Sequence, residues 1–210
     1  MRAIGEYGEP MTYQADADSP ADDGPTHPVF TIVAEGDLTL DDHEAITATL
    51  ARAFPSYDHW YQGARSWAGM QPELRVIARA GDVVVAHAGI RRQFVTVGDV
   101  DQLVGAVGMV AVSPILQGTG LGTGLLSYVD DALSGLGVPF GLLETGEAVR
   151  GFYRRHEWEP LDGVTGHYNA LTADGASTLV SQDEGWLIRP RGADREAWPD
   201  GDIRWNGQMV

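Results

Sequence analysis

The stretch SPILQGTGLGTGLLSYVDDAL, Ser113 to Leu133, carries glycine at every second position from Gly118 to Gly124 and then continues as an apolar, helix-like pattern. A strand-like run, AVGMVAV, precedes it. One glycine is normally enough at a helix end, and each further glycine costs backbone entropy on folding. Strand, glycine turn and helix start in this order indicate a loop whose N–H groups converge on an anion, because a helix N-terminus attracts negative charge.

The spacing of the glycines separates three kinds of phosphate-binding loop. The dinucleotide pattern requires glycine three residues after Gly120, where the chain has Thr123, and a nucleoside triphosphate loop requires a lysine, which the chain lacks. What remains is a pyrophosphate held by the backbone of Gly118 and the residues after it. A merely flexible strand-to-helix turn is the structural alternative.

The composition excludes several classes of enzyme. All fourteen basic residues are arginine and there is no cysteine, so the chain has no Schiff-base lysine, no pyridoxal phosphate anchor and no thiolate chemistry. A net charge of -16 argues against a nucleic-acid partner, whose phosphates need a basic face. The acidity serves either solubility or the attraction of a polycation. Without a membrane-length apolar run or a signal peptide, we expect a cytoplasmic protein with no membrane partner.

Turn residues and changes of periodicity divide the chain into a loose acidic N-terminal arm, 1–28, and a single domain, 29–210. The domain begins with a strand and a helix from about Thr39, followed by a second, irregular helix in SYDHWYQGARSWAGMQ. Three antiparallel strands then turn at Gly81-Asp82 and Gly98-Asp99. A helix from Gly120 to Leu136, a strand and a helix from Glu147 to Trp158 call for a parallel pair. Two closing strands and a C-terminal tail complete the chain.

The glycine loop resembles the signature Gln/Arg-x-x-Gly-x-Gly/Ala of the GNAT superfamily of acyl-CoA-dependent N-acyltransferases, with Gln117, Gly120 and Gly122 at the matching positions. This resemblance, which covers roughly Val29 to Leu161, implies an α/β (α+β) GNAT fold with about six to seven strands and about four helices around a splayed parallel pair. It also implies acetyl-CoA as co-substrate and no metal. The residues implied to bind coenzyme A are Met109, Val110, Ala111, Val112, Gln117, Gly118, Thr119, Gly120, Leu121, Gly122, Thr123 and Gly124.

Four further segments are similar to nodulation protein A type N-acyltransferases, which acylate the free amine of a chitin oligosaccharide: GARSWAGMQPELRVIA, VVAHAGIRRQFVTVGDVDQLV, LGVPFG and WPDGDIRWNG. The aminoglycoside 2'-N-acetyltransferases are also similar, chiefly in VVAHAGIRR, the VAV strand and the helix of Tyr153. Both relatives modify amino sugars. The glutamate that the aminoglycoside enzymes carry before their VAV strand falls here on Gly108, so the resemblance supplies no general base.

Amide formation requires an acceptor amine that has lost a proton and a leaving thiolate that gains one. By resemblance Tyr153 is the expected acid, and its phenol is protonated at neutral pH. Glu144 is the expected base because it ends the fifth strand, where α/β sheets open to ligands. His87 is the alternative base, although a histidine inside an apolar strand is more often a hydrogen-bonded core residue. The structural alternative is that Tyr153 is an amphipathic aromatic side chain that anchors its helix to the rest of the protein.

Carboxylates and aromatic rings suit an amino sugar, which offers cations and flat apolar faces. The residues expected to bind it are Asp58, Trp60, Tyr61, Trp67, Asp202 and Trp205. The leading hypothesis is acetyl transfer to a primary amine of an aminoglycoside or related amino sugar. The alternatives are a nodulation-like acyltransferase that uses a longer acyl chain and a non-catalytic acyl-CoA-binding module. The sequence leaves the oligomeric state open, with a homodimer as one alternative.

Overall fold

A computed structural model of the chain describes residues 27–172 and 175–209, which contain ten strands and three α-helices. The strands are β1 Val29–Ala34, β2 Leu74–Ala80, β3 Val83–Val97, β4 Val100–Val112, β5 Phe140–Glu144, β6 Glu159–Pro160, β7 Gly166–Leu171, β8 Ser177–Gln182, β9 Trp186–Pro190 and β10 Ile203–Gln208. The helices are α1 Leu40–Ala53, α2 Leu121–Gly135 and α3 Glu147–Arg154.

Short-range turn chemistry forms the first half of the sheet. Strands β1 to β4 pair antiparallel in chain order, and the β2–β3 and β3–β4 turns contain Gly81 and Gly98 with left-handed φ values of +58° and +56°. Helix α1 starts at Thr39, whose side chain accepts from the backbone N–H of Asp42 while the Asp42 carboxylate accepts from the backbone N–H of Thr39. This capping box fixes the predicted helix start.

All the strands join one sheet in which β3 has partners at both of its ends. The first half of β3 pairs with β2, and its last residues pair with β10, which continues to β7 and β8. On the other side, β4 pairs parallel with β5, which continues antiparallel to β9 and β6. The β4–β5 pair is parallel, as the sequence predicted, and it lies inside the sheet.

Helices α1 and α2 cover opposite faces of this sheet. Helix α1 buries Ile46 and Leu50 against Ile77 of β2, whereas α2 buries Leu125 and Leu133 in a cluster with Val76 of the same strand. Successive side chains of a strand point to opposite faces, so Val76 and Ile77 serve different helices. A third apolar cluster is built on β5, β9 and β10 around three tryptophans, Trp186, Trp198 and Trp205.

The structure corrects three sequence expectations. The segment after α1 contains only the 3₁₀ turn Pro55–Tyr57 and then runs without regular structure as far as β2, so the described residues hold three α-helices and not four. Two glycines, Gly63 with a φ of +58° and Gly69 with its Cα packed on the Met209 carbonyl, suit an irregular path better than a helix. The expected C-terminal tail is wrong as well, because β10 lies within the sheet. With β10, β8 and the two-residue β6, which were not expected, the described residues hold ten strands and not about six to seven.

The predicted N-terminal arm falls mainly on residues 1–26, which lie outside the described residues. All ten strands of the described residues belong to one sheet. Among the described residues no helix is long and apolar enough to cross a membrane.

Candidate functional site

The parallel strands β4 and β5 separate after a short contact. They pair only where Val104 to Ala106 face Phe140 to Leu142, and both strands continue beyond this point, to Val112 and Glu144. The edge of β4 that faces β5 therefore has no strand partner over its last six residues among the described strands. An unpaired edge between splayed strands offers backbone N–H and C=O groups to an extended ligand.

A β-bulge lies on β4 at this opening. His87 and Gly89 of β3 pair with Ala111 and Gly108, so that Met109 and Val110 together lie opposite the single residue Ala88. Met109 has a φ of +50°, in the left-handed region that side chains other than glycine rarely adopt. A bulge leaves the extra residue outside the ladder and turns its backbone groups away from the neighbouring strand.

The glycine loop joins the end of β4 to the start of α2. Gly118 and Gly120 have left-handed φ values of +79° and +91°, and Gly120 caps the helix without a side-chain hydrogen bond. Space around the α-carbons of both residues is open. Because the first N–H groups of a helix have no partner within it, those of Leu121, Gly122 and Thr123 are free to bind a ligand. This loop fits the pyrophosphate of coenzyme A, which needs close backbone approach and positive charge.

The other two glycines of the loop serve packing. A Cβ on Gly122 would lie 3.1 Å from the Phe152 ring of α3, and a Cβ on Gly124 would lie 2.9 Å from the Phe30 ring of β1. Leu121, which directly precedes Gly122, is buried in the core and anchors the helix start, whereas Gln117 and Thr119 are exposed. The predicted binding loop therefore combines two open glycines with two that let the helix approach its neighbours.

Glu144 and Tyr153 lie together at the wide end of the cleft. Burial raises the pKa of Glu144, and Arg150 acts in the opposite direction. Tyr153 is 7% exposed on α3, where its ring packs edge-on against Phe152 and Trp158. Burial and, secondly, the Glu144 carboxylate raise the pKa of Tyr153 well above its usual range, so the phenol stays protonated. One group is thus available as a base and the other as an acid.

His87, the alternative base, is fully buried on β3 with both ring nitrogens occupied. Its Nδ1–H donates to the Met109 carbonyl at 2.9 Å, and its Nε2 accepts from the Arg75 guanidinium at 3.0 Å, since arginine can only donate. Burial first, and then the Arg75 charge, lower the pKa of His87 to about 3. With no free lone pair and no access to solvent, His87 is a poor candidate for the base.

The lowered pKa of His87 predicts a loss of stability in mild acid. The imidazole binds a proton below its ordinary pKa of 6.5 in the unfolded state but only near 3 in the folded state. Between these values the unfolded state holds more protons, so the free energy of unfolding decreases as the pH is lowered. Between pH 7 and pH 5 this contributes about 2 kcal/mol. Urea unfolding of wild type and of His87→Asn at pH 7 and pH 5 isolates the contribution of His87, because the carboxylates titrate alike in both proteins. Equal pH dependence of the two proteins would contradict the assignment.

The predicted acceptor residues divide into two groups. Trp60 and Trp67 line a cavity of about 340 Å³ together with Ala64, Arg65, Ala68 and Gly69. Tyr61 is half-buried against Phe54, and Asp58 is exposed on the same segment. The Arg75 guanidinium lies over the face of the Trp67 ring, 5.8 Å from the ring centre.

Asp202 and Trp205 are not near the glycine loop. Asp202 accepts from the backbone N–H of Thr165 and its carbonyl accepts from Gly98, at the turn between β3 and β4. The thirteen residues of β4 place this turn roughly 40 Å from the loop at the other end of the strand. Trp205 is 3% exposed and packs on Trp186. The structure therefore gives Asp202 hydrogen bonds at the β3–β4 turn and Trp205 a place in the core, and it does not bring either residue together with the glycine loop.

Two tyrosines that the sequence analysis missed lie near this site, Tyr168 close to Glu144 and Tyr57 close to Tyr168. Burial, then the Glu144 carboxylate, then Tyr57 raise the pKa of Tyr168 on β7, so the three side chains share one region. Neither tyrosine belongs to a motif, and only the pairing of β7 with β10 brings Tyr168 across the sheet. Within the described residues, no three His, Asp or Glu side chains are grouped as a metal site would require.

Comparison with known proteins agrees with this geometry. The model of the family "Nodulation protein A (NodA)" matches residues 28–210. Nodulation protein A of Mesorhizobium sp. (strain 7653R) is 32% identical over 179 residues, which are 80% of this chain and 90% of the relative. Nodulation protein A of Sinorhizobium terangae is 37% identical over 131 residues, which are 60% of this chain and 64% of the relative.

Solved structures are similar in fold at lower identity. The GNAT family N-acetyltransferase YhbS of Escherichia coli, in complex with CoA, has a TM-score of 0.61 at 16% identity, over 89% of this chain and 93% of that one. A GNAT family acetyltransferase of Brucella melitensis, in complex with acetyl-CoA, has a TM-score of 0.53 at 20% identity, over 86% and 97%. The chain therefore belongs to the nodulation protein A family and is an acyl-CoA-dependent N-acyltransferase built on the GNAT fold.

Proposed function

We propose that the protein transfers an acyl group from acyl-CoA to the primary amine of an amino sugar, by direct attack of the amine while both substrates are bound. The observation that carries this proposal is the placement of Glu144 and Tyr153 together at the opening between β4 and β5, next to the uncapped helix start at Gly120. A base, an acid and a pyrophosphate cradle around one cleft are the groups that this reaction needs.

Glu144 is proposed as the group that takes the proton from the acceptor ammonium. Its carboxylate ends β5, is partly buried, and lies close enough to Tyr153 and Tyr168 to raise the pKa of both phenols. The raised pKa of Glu144 makes it a better proton acceptor than an exposed carboxylate. Its charge would also attract the cationic amine before proton transfer.

Tyr153 is proposed as the acid that protonates the departing thiolate. A phenol that remains fully protonated at neutral pH has a proton to give to the thiolate, although its raised pKa makes it a weaker acid than an exposed phenol. The backbone of Met109 to Val112, unpaired on the β5 side, is proposed to bind the acyl arm of the donor. The bulge there presents backbone N–H donors of the kind that stabilise a developing oxyanion.

Aromatic side chains support a sugar as acceptor. Trp60 and Trp67 line the cavity near Arg75, Tyr168 lies by Glu144, and Tyr57 lies near Tyr168. Flat rings of this kind pack against the apolar faces of sugars, and hydroxyl groups at their edges can bind sugar hydroxyls. An amino-sugar oligosaccharide, as the nodulation protein A resemblance implies, is the first acceptor to test. An aminoglycoside is the second, favoured by the charge of -16, which attracts polycations.

Two acyl donors are consistent with this site. The complete glycine loop and Tyr153 favour acetyl-CoA, whereas family membership favours a longer acyl chain. A thiol-release assay that combines acetyl-, octanoyl- and palmitoyl-CoA with amino-sugar oligosaccharides, aminoglycosides and simple aliphatic amines separates these alternatives. We expect the amino sugars to be acylated fastest. Faster turnover of a hydrophobic amine than of every amino sugar would contradict the proposed acceptor.

The same assay needs variants that separate catalysis from binding. Glu144→Gln should lower kcat/KM for the best amine by about 100-fold, because the amide cannot take up the proton. Glu44→Gln on the exposed face of α1 removes the same charge away from the cleft and serves as the control. Equal activity of the two variants would remove Glu144 from the mechanism, and wild type that binds acyl-CoA but acylates no amine would favour a non-catalytic binding module.

A further inference from the structure

A chain of buried polar side chains connects the start of the domain to the bulge of β4. The Arg75 guanidinium is 0% exposed and donates to both carboxylate oxygens of Glu35, at 2.6 Å and 3.1 Å. Its third nitrogen donates to His87 Nε2 at 3.0 Å, and His87 Nδ1 donates to the Met109 carbonyl at 2.9 Å. The chain of contacts therefore ends on the one backbone residue of β4 that has a left-handed φ.

The direction of every hydrogen bond in this chain is determined. Arginine can only donate, so His87 Nε2 must accept, and the proton of the neutral ring must lie on Nδ1, which points at Met109. The Glu35 carboxylate fixes the Arg75 guanidinium in turn. Protonation of His87 would place two cations side by side, so the arrangement exists only with a neutral imidazole.

The Met109 backbone needs such a partner. A left-handed residue with a side chain stores strain and persists only when its surroundings hold it. Its carbonyl has left the β3 ladder because Met109 and Val110 face a single residue of β3. A buried carbonyl without a partner would be costly, and the His87 N–H supplies the missing donor.

Packing alone is a poor explanation of this chain. Burying an ion pair costs desolvation free energy, and apolar residues of similar volume often stabilise a protein as well or better. The same guanidinium also donates to the carbonyl and hydroxyl of Ser66 and lies below Trp67, in the wall of the acceptor cavity. One buried guanidinium therefore contacts both the cavity wall at Trp67 and, through His87, the bulge of β4, which indicates a function in positioning these two features.

We propose that His87, held by Arg75 and Glu35, is a positioning residue that fixes the bulge of β4 in the orientation that receives the acyl carbonyl of the donor. This inference rests on the proposed function, in which the acyl arm binds along β4. His87 itself touches neither substrate. It acts through the Met109 carbonyl, which orients the peptide group between Met109 and Val110.

Two substitutions of His87 separate this function from packing. In His87→Asn, the amide nitrogen can occupy the place of Nδ1 and donate to Met109. In His87→Gln, the longer side chain can still accept from Arg75 but lacks the donor at the Nδ1 position. Ile77→Val is the control, because Ile77 pairs with His87 across the β2–β3 ladder and is about equally buried, but its apolar side chain cannot donate a hydrogen bond to the Met109 carbonyl.

The measurement is the affinity for acetyl-CoA relative to free CoA, by calorimetry, together with kcat and the KM for the amine. We expect wild type, Ile77→Val and His87→Asn to bind acetyl-CoA more tightly than CoA. In His87→Gln, this preference and kcat should each fall by about tenfold, whereas the affinity for CoA and the KM for the amine should stay unchanged. A His87→Gln variant that folds and keeps both the preference for acetyl-CoA and the wild-type kcat would overturn the inference. Equal values of these two quantities in His87→Asn and His87→Gln would overturn it as well. Wild type that binds neither CoA nor acetyl-CoA would instead overturn the proposed function, and the inference with it.

Discussion

Replacing Tyr153 with phenylalanine is expected to lower kcat by about 100-fold or more while the affinity for acetyl-CoA stays close to that of wild type. The substitution removes one hydroxyl group from a side chain that otherwise packs between Phe152 and Trp158, so the ring contacts and the fold are retained. The thiolate would then have to take its proton from water. Steady-state kinetics give kcat and calorimetry gives the Kd for acetyl-CoA on the same preparation. The kcat should fall while the Kd stays unchanged.

A second tyrosine provides the control for this experiment. Tyr128 on α2 stacks on Phe30, away from Glu144, and Tyr128→Phe also removes one phenol hydroxyl. Its kcat should equal that of wild type. If the kcat of Tyr153→Phe matched that of Tyr128→Phe, Tyr153 would be a packing residue, and Tyr168 would be the next proton donor to test.

Substitution of Gly120 by valine is expected to weaken acetyl-CoA binding by at least about 100-fold, since two or more charge-assisted hydrogen bonds from the helix start would be lost. The φ of +91° is strongly unfavourable for a β-branched side chain, so the N–H groups of the loop must turn away from their present direction. Free space around the Gly120 α-carbon means that the side chain itself clashes with nothing, and the fold should survive.

The opposite end of the same helix offers a matched control. Gly135 is also surrounded by open space but lacks the positive φ, so Gly135→Ala should leave binding unchanged and stability equal or slightly higher. Thermal unfolding of both variants checks that Gly120→Val is folded, and calorimetry gives the affinities. Wild-type affinity in Gly120→Val would remove the pyrophosphate from this loop.

Local signals explain which parts of the fold could be predicted from the sequence. The β3–β4 hairpin turns at Gly98-Asp99, and α1 starts at the capping box of Thr39 and Asp42, because turns and caps depend on a few adjacent residues. The family signature at Gln117 located the glycine loop. Spacing could not show that Gly124 gives room to Phe30 rather than to a ligand, since that contact joins residues far apart in the chain.

Contacts that depend on the whole sheet could not be predicted. In the sequence, a tryptophan near an aspartate, such as Trp205, is equally typical of a sugar-binding site and of a buried core. Only the position of β10 between β3 and β7 shows that Trp205 lies in the core. The proximity of Tyr168 to Glu144 depends on the same arrangement. For His87, an apolar strand suggested burial, but its two partners come from different strands, β2 and β4.

The place of β10 in the sheet also affects how the protein is made. A ribosome synthesises β7 and β8 long before residue 208, yet this hairpin reaches the rest of the sheet only through β10. Until that strand emerges, the nascent chain exposes the unpaired edges of β3 and β7, which can pair with other chains. Because β10 joins β3 to β7, we expect truncated products that stop before residue 203 to expose both edges and to aggregate more readily than the longer chain.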